Sequence, residues 1–220
     1  MWADLHRVVV VILVGLLVCA LASPRVTEAQ ERPRGRQEVD QAAQLDHQQH
    51  HQTPTPEQYS RVVASYDPPD VMLADMTGAE VALSTVLHHA GPVLLQFIFT
   101  TCPTVCPVLS EVFAVAQDTL GPELHNVRMV SISVDPEHDT PARLQAYAQK
   151  FRAKQQWRFL TGKRQDIVAV QKAFEAYWTN KMRHEPRTYL RAALDAPWVR
   201  LDGFMSATEL VTEYYRLLGR

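Results

Sequence analysis

Beyond Tyr59 the chain changes from a polar stretch to short apolar runs separated by Gly, Pro and Asp, the rhythm of strands alternating with helices. Residues 71–74 and 81–83 flank Asp75, Met76, Thr77 and Gly78, a turn composition that predicts an opening hairpin. Residues 92–100 form a continuous apolar run, too short for a typical helix and bounded by Gly91 and Cys102, which predicts a central strand buried on both faces. In residues 107–120, Leu109, Val112, Phe113 and Ala116 recur at helical spacing, and Gly121 and Pro122 close the segment. Pro107 suits a first helical turn, so the helix is expected to open there with Cys106 at its edge. A strand over 127–134 follows, then a helix from Pro141 to about Phe151 capped by Asp139 or Thr140. A strand over 157–160, a helix over 165–178, a strand over 198–202 and a helix over 207–218 behind Ser206 complete the pattern. This is an α/β domain over residues 59–220, a mixed sheet with an N-terminal hairpin.

The start of the chain follows different rules. His6 and Arg7 precede an unbroken apolar run over residues 8–22, about 15 residues and shorter than the roughly 20 that span a bilayer comfortably. Residues 1–29 are therefore an export signal, cleaved after Ala29, or an anchor retained in the membrane; both remain open. Cys19 reads as an apolar residue of that helix, because Val18 is bulkier than the residue that precedes a lipidated cysteine. Residues 30–58 are rich in Gln, Arg, Glu, His and Pro and too poor in large apolar residues to offset their ordering entropy, which predicts a flexible tether. Within it, His47, His50 and His51 read as solvated, with loose capture of a metal ion as the alternative. A net charge of -2 supplies no basic excess for a nucleic-acid partner.

Candidate chemistry concentrates where the central strand feeds its helix, in Thr100-Thr101-Cys102-Pro103-Thr104-Val105-Cys106-Pro107. A helix entrance favours a thiolate and is expected to lower a cysteine pKa there. Three intervening residues put the two Cα atoms about one helical turn apart. That spacing allows a redox-active dithiol and disulfide, and equally a single ion between two sulfurs. Two thiolates are soft donors suited to Cu(I), and an added neutral imidazole suits copper in either oxidation state. Zinc in a structural site seeks four protein ligands, and there is no second cysteine pair. A peroxidatic site needs a threonine three positions before its cysteine, where Phe99 and Pro103 stand instead.

Residues 97–107, Phe-Ile-Phe-Thr-Thr-Cys-Pro-Thr-Val-Cys-Pro, resemble the signature of the Sco/SenC family of copper proteins of cytochrome oxidase assembly. Ser133-Val134-Asp135-Pro136-Glu137-His138-Asp139-Thr140-Pro141 is similar to the loop that follows the next strand in that family, and the resemblance runs from about Tyr66 to the C-terminus. It implies a thioredoxin-like three-layer domain holding one copper, Cu(I) or Cu(II), through Cys102, Cys106 and a distal histidine. The family's usual Asp-His pair is absent from the last third of the chain; His184, the sole histidine after His138, takes its place. Ile98, Thr101 and Thr104 stand where the family commonly carries glycine, histidine and aspartate. The implied role is a copper metallochaperone for the dinuclear copper centre of cytochrome c oxidase, with a thiol-disulfide oxidoreductase that keeps client cysteines reduced as the alternative. Implied partners are the oxidase copper subunit or other copper chaperones, and the membrane if the N-terminal segment is uncleaved. The implied location is the periplasm or the outer face of the cytoplasmic membrane. Met182 is expected to pack its loop rather than ligate copper. Asp135 and Asp139 are expected to shape a capped turn, and His88, His89, His125 and His138 to be solvated.

Overall fold

The computed structural model describes residues 59–220. The segment 1–29 with Cys19, and the tether 30–58 with His47, His50 and His51, lie outside the described residues.

Eight strands form one mixed sheet: β1 Tyr59–Ala64, β2 Met72–Asp75, β3 Glu80–Ala82, β4 Val93–Ile98, β5 Arg128–Ser133, β6 Trp157–Thr161, β7 Arg187–Arg191 and β8 Trp198–Gly203. Their order across the sheet is β1-β8-β7-β4-β5-β6-β2-β3. Among the described residues the α-helices that accompany them are α1 Leu83–Leu87, α2 Val105–Leu120, α3 Pro141–Lys150, α4 Arg164–Ala173 and α5 Ala207–Leu217. Strands β4, β5 and β6 run parallel, joined through α2 and α3. Strand β7 lies antiparallel against β4, with Gln96 opposite Thr188. The β2–β3 hairpin adds to the outer edge of β6 through Ala74 and Asp75. This is the expected thioredoxin-like architecture with its hairpin extension.

Alternation along β4 explains the three layers. Leu94 and Ile98 face a core shared with Phe113 of α2, Leu144 of α3 and Leu210 of α5. Val93, Leu95 and Phe97 face a second core with Val86 of α1 and Ile167 and Val170 of α4. Every residue of β4 is buried, as a strand covered on both faces requires. Gln96, the polar exception, donates through Nε2 to Ser131 Oγ at 2.9 Å, and Trp157 Nε1 donates to the same oxygen at 2.8 Å. The amide nitrogen is thereby satisfied, whereas Oε1 is buried with no hydrogen-bond partner.

The structure departs from expectation at four places. Strand β1 was not anticipated, because its central residues are exposed and it pairs only as an edge, to β8. Leu83, expected in the hairpin, instead opens α1. Helix α2 begins at Val105, two residues before Pro107, which still occupies the first turn, where its missing N–H costs nothing. Helix α4 stops at Ala173 rather than Trp178: Glu175 takes a left-handed backbone with φ 55, and Ala176 N–H donates back to Gln171 O at 2.7 Å. Residues 175–178 thereby become connection rather than helix and lead the chain towards His184. The two caps match expectation. Thr140 Oγ1 accepts the Arg143 N–H, and Ser206 forms a reciprocal capping box with Glu209.

Candidate metal centre

Strand β4 ends at Ile98, and the chain turns at once: Cys102 N–H donates to Phe99 O at 3.1 Å. Cys102 Sγ then accepts the Cys106 N–H at 3.3 Å, in the position a capping oxygen takes at a helix start, since Thr104 makes no side-chain cap. Cys106 Sγ accepts the Phe99 N–H at 3.4 Å. Backbone donors thus fix both sulfurs on the inner side of the turn, and both cysteines are free thiols.

The turn is clamped from below by Asp139. This buried carboxylate accepts the Thr100 N–H at 3.1 Å, the Thr100 hydroxyl at 2.6 Å and the Ser133 hydroxyl at 2.6 Å. It joins the exit of β4 to the exit of β5. Asp135 pairs instead with Lys181 and with His138 Nδ1.

His184 arrives from far along the chain. A 3-10 turn, Lys181–Arg183, is capped by Asn180 Oδ1 accepting the Met182 N–H at 2.9 Å, and β7 follows directly. Because β7 pairs with β4, the residue just ahead of β7 falls beside the residues that leave β4. His184 Nε2 lies 3.4 Å from Cys106 Sγ, and its ring packs edge-on against Phe99 at 5.4 Å and Trp178 at 5.9 Å. Nδ1 stands 2.9 Å from Lys181 O. A carbonyl can only accept, so Nδ1 carries the proton and Nε2 turns its lone pair to the sulfur. The sulfurs of Cys102 and Cys106 and a nitrogen of His184 lie within 4.8 Å of one another, the sole such cluster among the described residues.

Burial corrects one expectation. The helix entrance was expected to depress a thiol pKa, yet the site is buried: Cys102 is 7% exposed, Cys106 0% and His184 6%. Desolvation pushes the Cys106 thiol far up, outweighing the Phe99 N–H that favours its thiolate. The same burial lowers the pKa of His184, against the opposing pull of the Lys181 carbonyl, so the imidazole is neutral at physiological pH. Both shifts give a stability prediction for the reduced, metal-free protein. Below the ordinary histidine value of 6.5 the unfolded chain takes up a proton that folded His184 resists, so stability falls as pH drops. Above the ordinary thiol value of 9.0 the unfolded chain releases a proton that folded Cys106 keeps, so stability falls again as pH rises. Thermal melts across this range should give the highest Tm between those two values. A Tm still climbing above the upper one would contradict the burial of Cys106.

Other sequence candidates lie elsewhere. Met182 is 58% exposed and does not pack its loop as expected. His88, His125 and His138 are exposed, and half-buried His89 bonds Asn126 O at 2.9 Å. Lys181 and Trp178, which shape the surroundings of His184, carry no spacing signal that sequence reasoning could have used. A cleft of about 310 Å³, lined by Pro136, Ile167, Trp178 and Lys181, reaches His184, the one member of the triad on its wall.

The SCO1/SenC family model matches residues 70–193, which include both cysteines, the Asp139 clamp and the histidine. This chain belongs to the SCO1/SenC family. Protein SenC of Rhodobacter capsulatus is 36% identical over 116 residues, 53% of this chain and 51% of that relative. The chain spans about half the length of the first curated SCO1/SenC relatives it matches. Among solved structures, BsSco, a Sco-family cytochrome c oxidase assembly protein with an identified disulfide switch, aligns with TM-score 0.59 and 25% identity over 71% of this chain and 95% of its own. ScoI of Bradyrhizobium japonicum, solved with copper bound, aligns with TM-score 0.56 and 25% identity over 70% of this chain and 99% of its own.

Proposed function

We propose that this protein is a copper metallochaperone that takes up one copper ion through Cys102, Cys106 and His184 and serves assembly of the copper centre of cytochrome c oxidase. The observation that carries the reading is the buried triad of two sulfurs and one imidazole nitrogen within 4.8 Å of one another. Two soft thiolates and one neutral imidazole match Cu(I) in three-coordinate form. The donor set lacks the fourth protein ligand of a structural zinc site. Copper binding by ScoI and the oxidase-assembly role of BsSco support the same reading through family membership. Copper is the cargo here: two thiols release their protons to solvent as they bind it, and take protons up again from solvent when it passes to a client's ligands.

The oxidoreductase alternative draws on the two free thiols held side by side. Burial disfavours Cys106 as the attacking group, because exchange requires the thiolate. Delivery is the stronger reading.

The tether of residues 30–58 and the export segment of residues 1–29, anchored or cleaved, would place the domain outside the cytoplasmic membrane, facing the oxidase copper subunit or a donor chaperone. Among the described residues no helix is long and apolar enough to cross a membrane.

Competition titration of the reduced protein with Cu(I) should give one equivalent bound. His184→Ala should lower the affinity by about a hundredfold or more, whereas dithiol exchange with a model disulfide should be nearly unchanged. Equal Cu(I) affinity in wild type and His184→Ala would reject the three-ligand site.

A further inference from the structure

The turn that carries His184 is fastened to the body of the fold by one residue acting through two groups. The carbonyl oxygen of Lys181 accepts the Nδ1–H of His184 at 2.9 Å. The ammonium of the same residue pairs with the carboxylate of Asp135. It also lies 5.5 Å from the centre of the Phe99 ring, the ring against which the imidazole packs. Asp135 itself is firmly placed: it is buried, and its N–H donates to Ser133 Oγ at 3.0 Å, at the rigid exit of β5. Arg183, the charged residue next to His184, is exposed to solvent.

We propose that Lys181 is the positioning residue of the site, its ion pair with Asp135 holding the His184 imidazole in the orientation that faces Cys106. This rests on the copper reading above. The argument is one of constraint. A hydrogen bond from Nδ1 to a backbone carbonyl fixes the ring and its tautomer only as well as that carbonyl is itself fixed. Lys181 lies in a three-residue 3-10 turn, which has little intrinsic rigidity. The Asp135 pair supplies what the turn lacks. Without the ammonium, buried Asp135 would keep only the exposed His138 ring, at 3.2 Å, as a side-chain partner; losing Lys181 is therefore costly, and the pair holds the turn shut. The cleft lined by Asn180 and Lys181 together with Pro136 and Glu137 is the space into which an unfastened turn would relax.

The test uses the reduced full-length protein, Cu(I) as the probe and a chromophoric Cu(I) chelator as competitor. Lys181→Met keeps the aliphatic stem against Phe99 and removes the charge. It should weaken Cu(I) binding about tenfold and reduce copper–nitrogen scattering in X-ray absorption, leaving the copper–sulfur shell in place. Lys181→Arg, which retains the cation, should recover most of the affinity. A role confined to stability would shift Tm without changing nitrogen ligation. Should Lys181→Met fail to fold, Asp135→Asn breaks the same pair with a near-isosteric side chain and carries the same expectation. Wild-type affinity and undiminished nitrogen scattering in these variants, beside a weakened His184→Ala, would leave the histidine a ligand that needs no fastening and overturn the proposal. Unchanged affinity in His184→Ala would instead remove the third ligand, and the positioning role with it.

Discussion

Cys106→Ser should lower the affinity of the reduced protein for Cu(I) on the order of a thousandfold, the largest effect expected of any single substitution in the site. Cys106 Sγ is the middle of the triad: it contacts His184 Nε2 at 3.4 Å, and its residue donates its N–H to Cys102 Sγ at 3.3 Å. A hydroxyl is nearly the same size and can still accept the Phe99 N–H, so the fold should survive and the measurement isolates the lost soft donor. The substitution should also change the pH response. Burial keeps Cys106 protonated across the neutral range, and loading copper must expel that proton, so this residue makes wild-type affinity rise about tenfold per pH unit. His184, neutral because its pKa is lowered, adds no competing proton there. In the variant the slope of log affinity against pH should fall by about one, read from competition titrations at several pH values across neutrality. Tight, wild-type-like copper retention by Cys106→Ser would move the site away from the cysteine turn.

The second large effect concerns stability. Asp139→Ala should destabilise the metal-free domain by about 3 kcal/mol, because it strands the Thr100 N–H, the Thr100 hydroxyl and the Ser133 hydroxyl at a buried position. For a domain of this size that corresponds to a fall in Tm of roughly 10 °C, measurable by calorimetry. Copper affinity should drop as well, since the clamp holds the strand exit from which the cysteine turn starts. A Tm within a degree or so of wild type would mean that water or a neighbouring group replaces the carboxylate, and the clamp would lose its importance.

The cysteine half of the site was legible because local sequence encodes it. A buried apolar run, two cysteines with three residues between, and a proline in the first helical turn fix a strand, a turn and a helix in that order. The histidine half was not encoded locally. Nothing within Asn180-Lys181-Met182-Arg183-His184 announces a ligand; its place follows from β7 pairing with β4, a long-range register that residue spacing does not reveal. Strand β1 escaped notice for a related reason: its four central residues are all exposed, so its sequence carries no apolar alternation, and it is defined by pairing with distant β8. The thiol pKa was misjudged because helix-entrance position was visible in the sequence and burial was not. At Cys106 desolvation outweighs the Phe99 N–H that favours the thiolate.

Cys106 and His184 stand 78 positions apart in the sequence. An unfolded chain that tried to gather both around one ion would have to close that loop first, at a cost of about 4 kcal/mol in chain entropy. In the folded domain the sheet has already met that cost. A nascent or denatured copy therefore reaches this particular triad only at that cost, while the native copy presents it roughly three powers of ten better on this account alone. The separation in sequence ties the three-donor arrangement to copies that have finished folding.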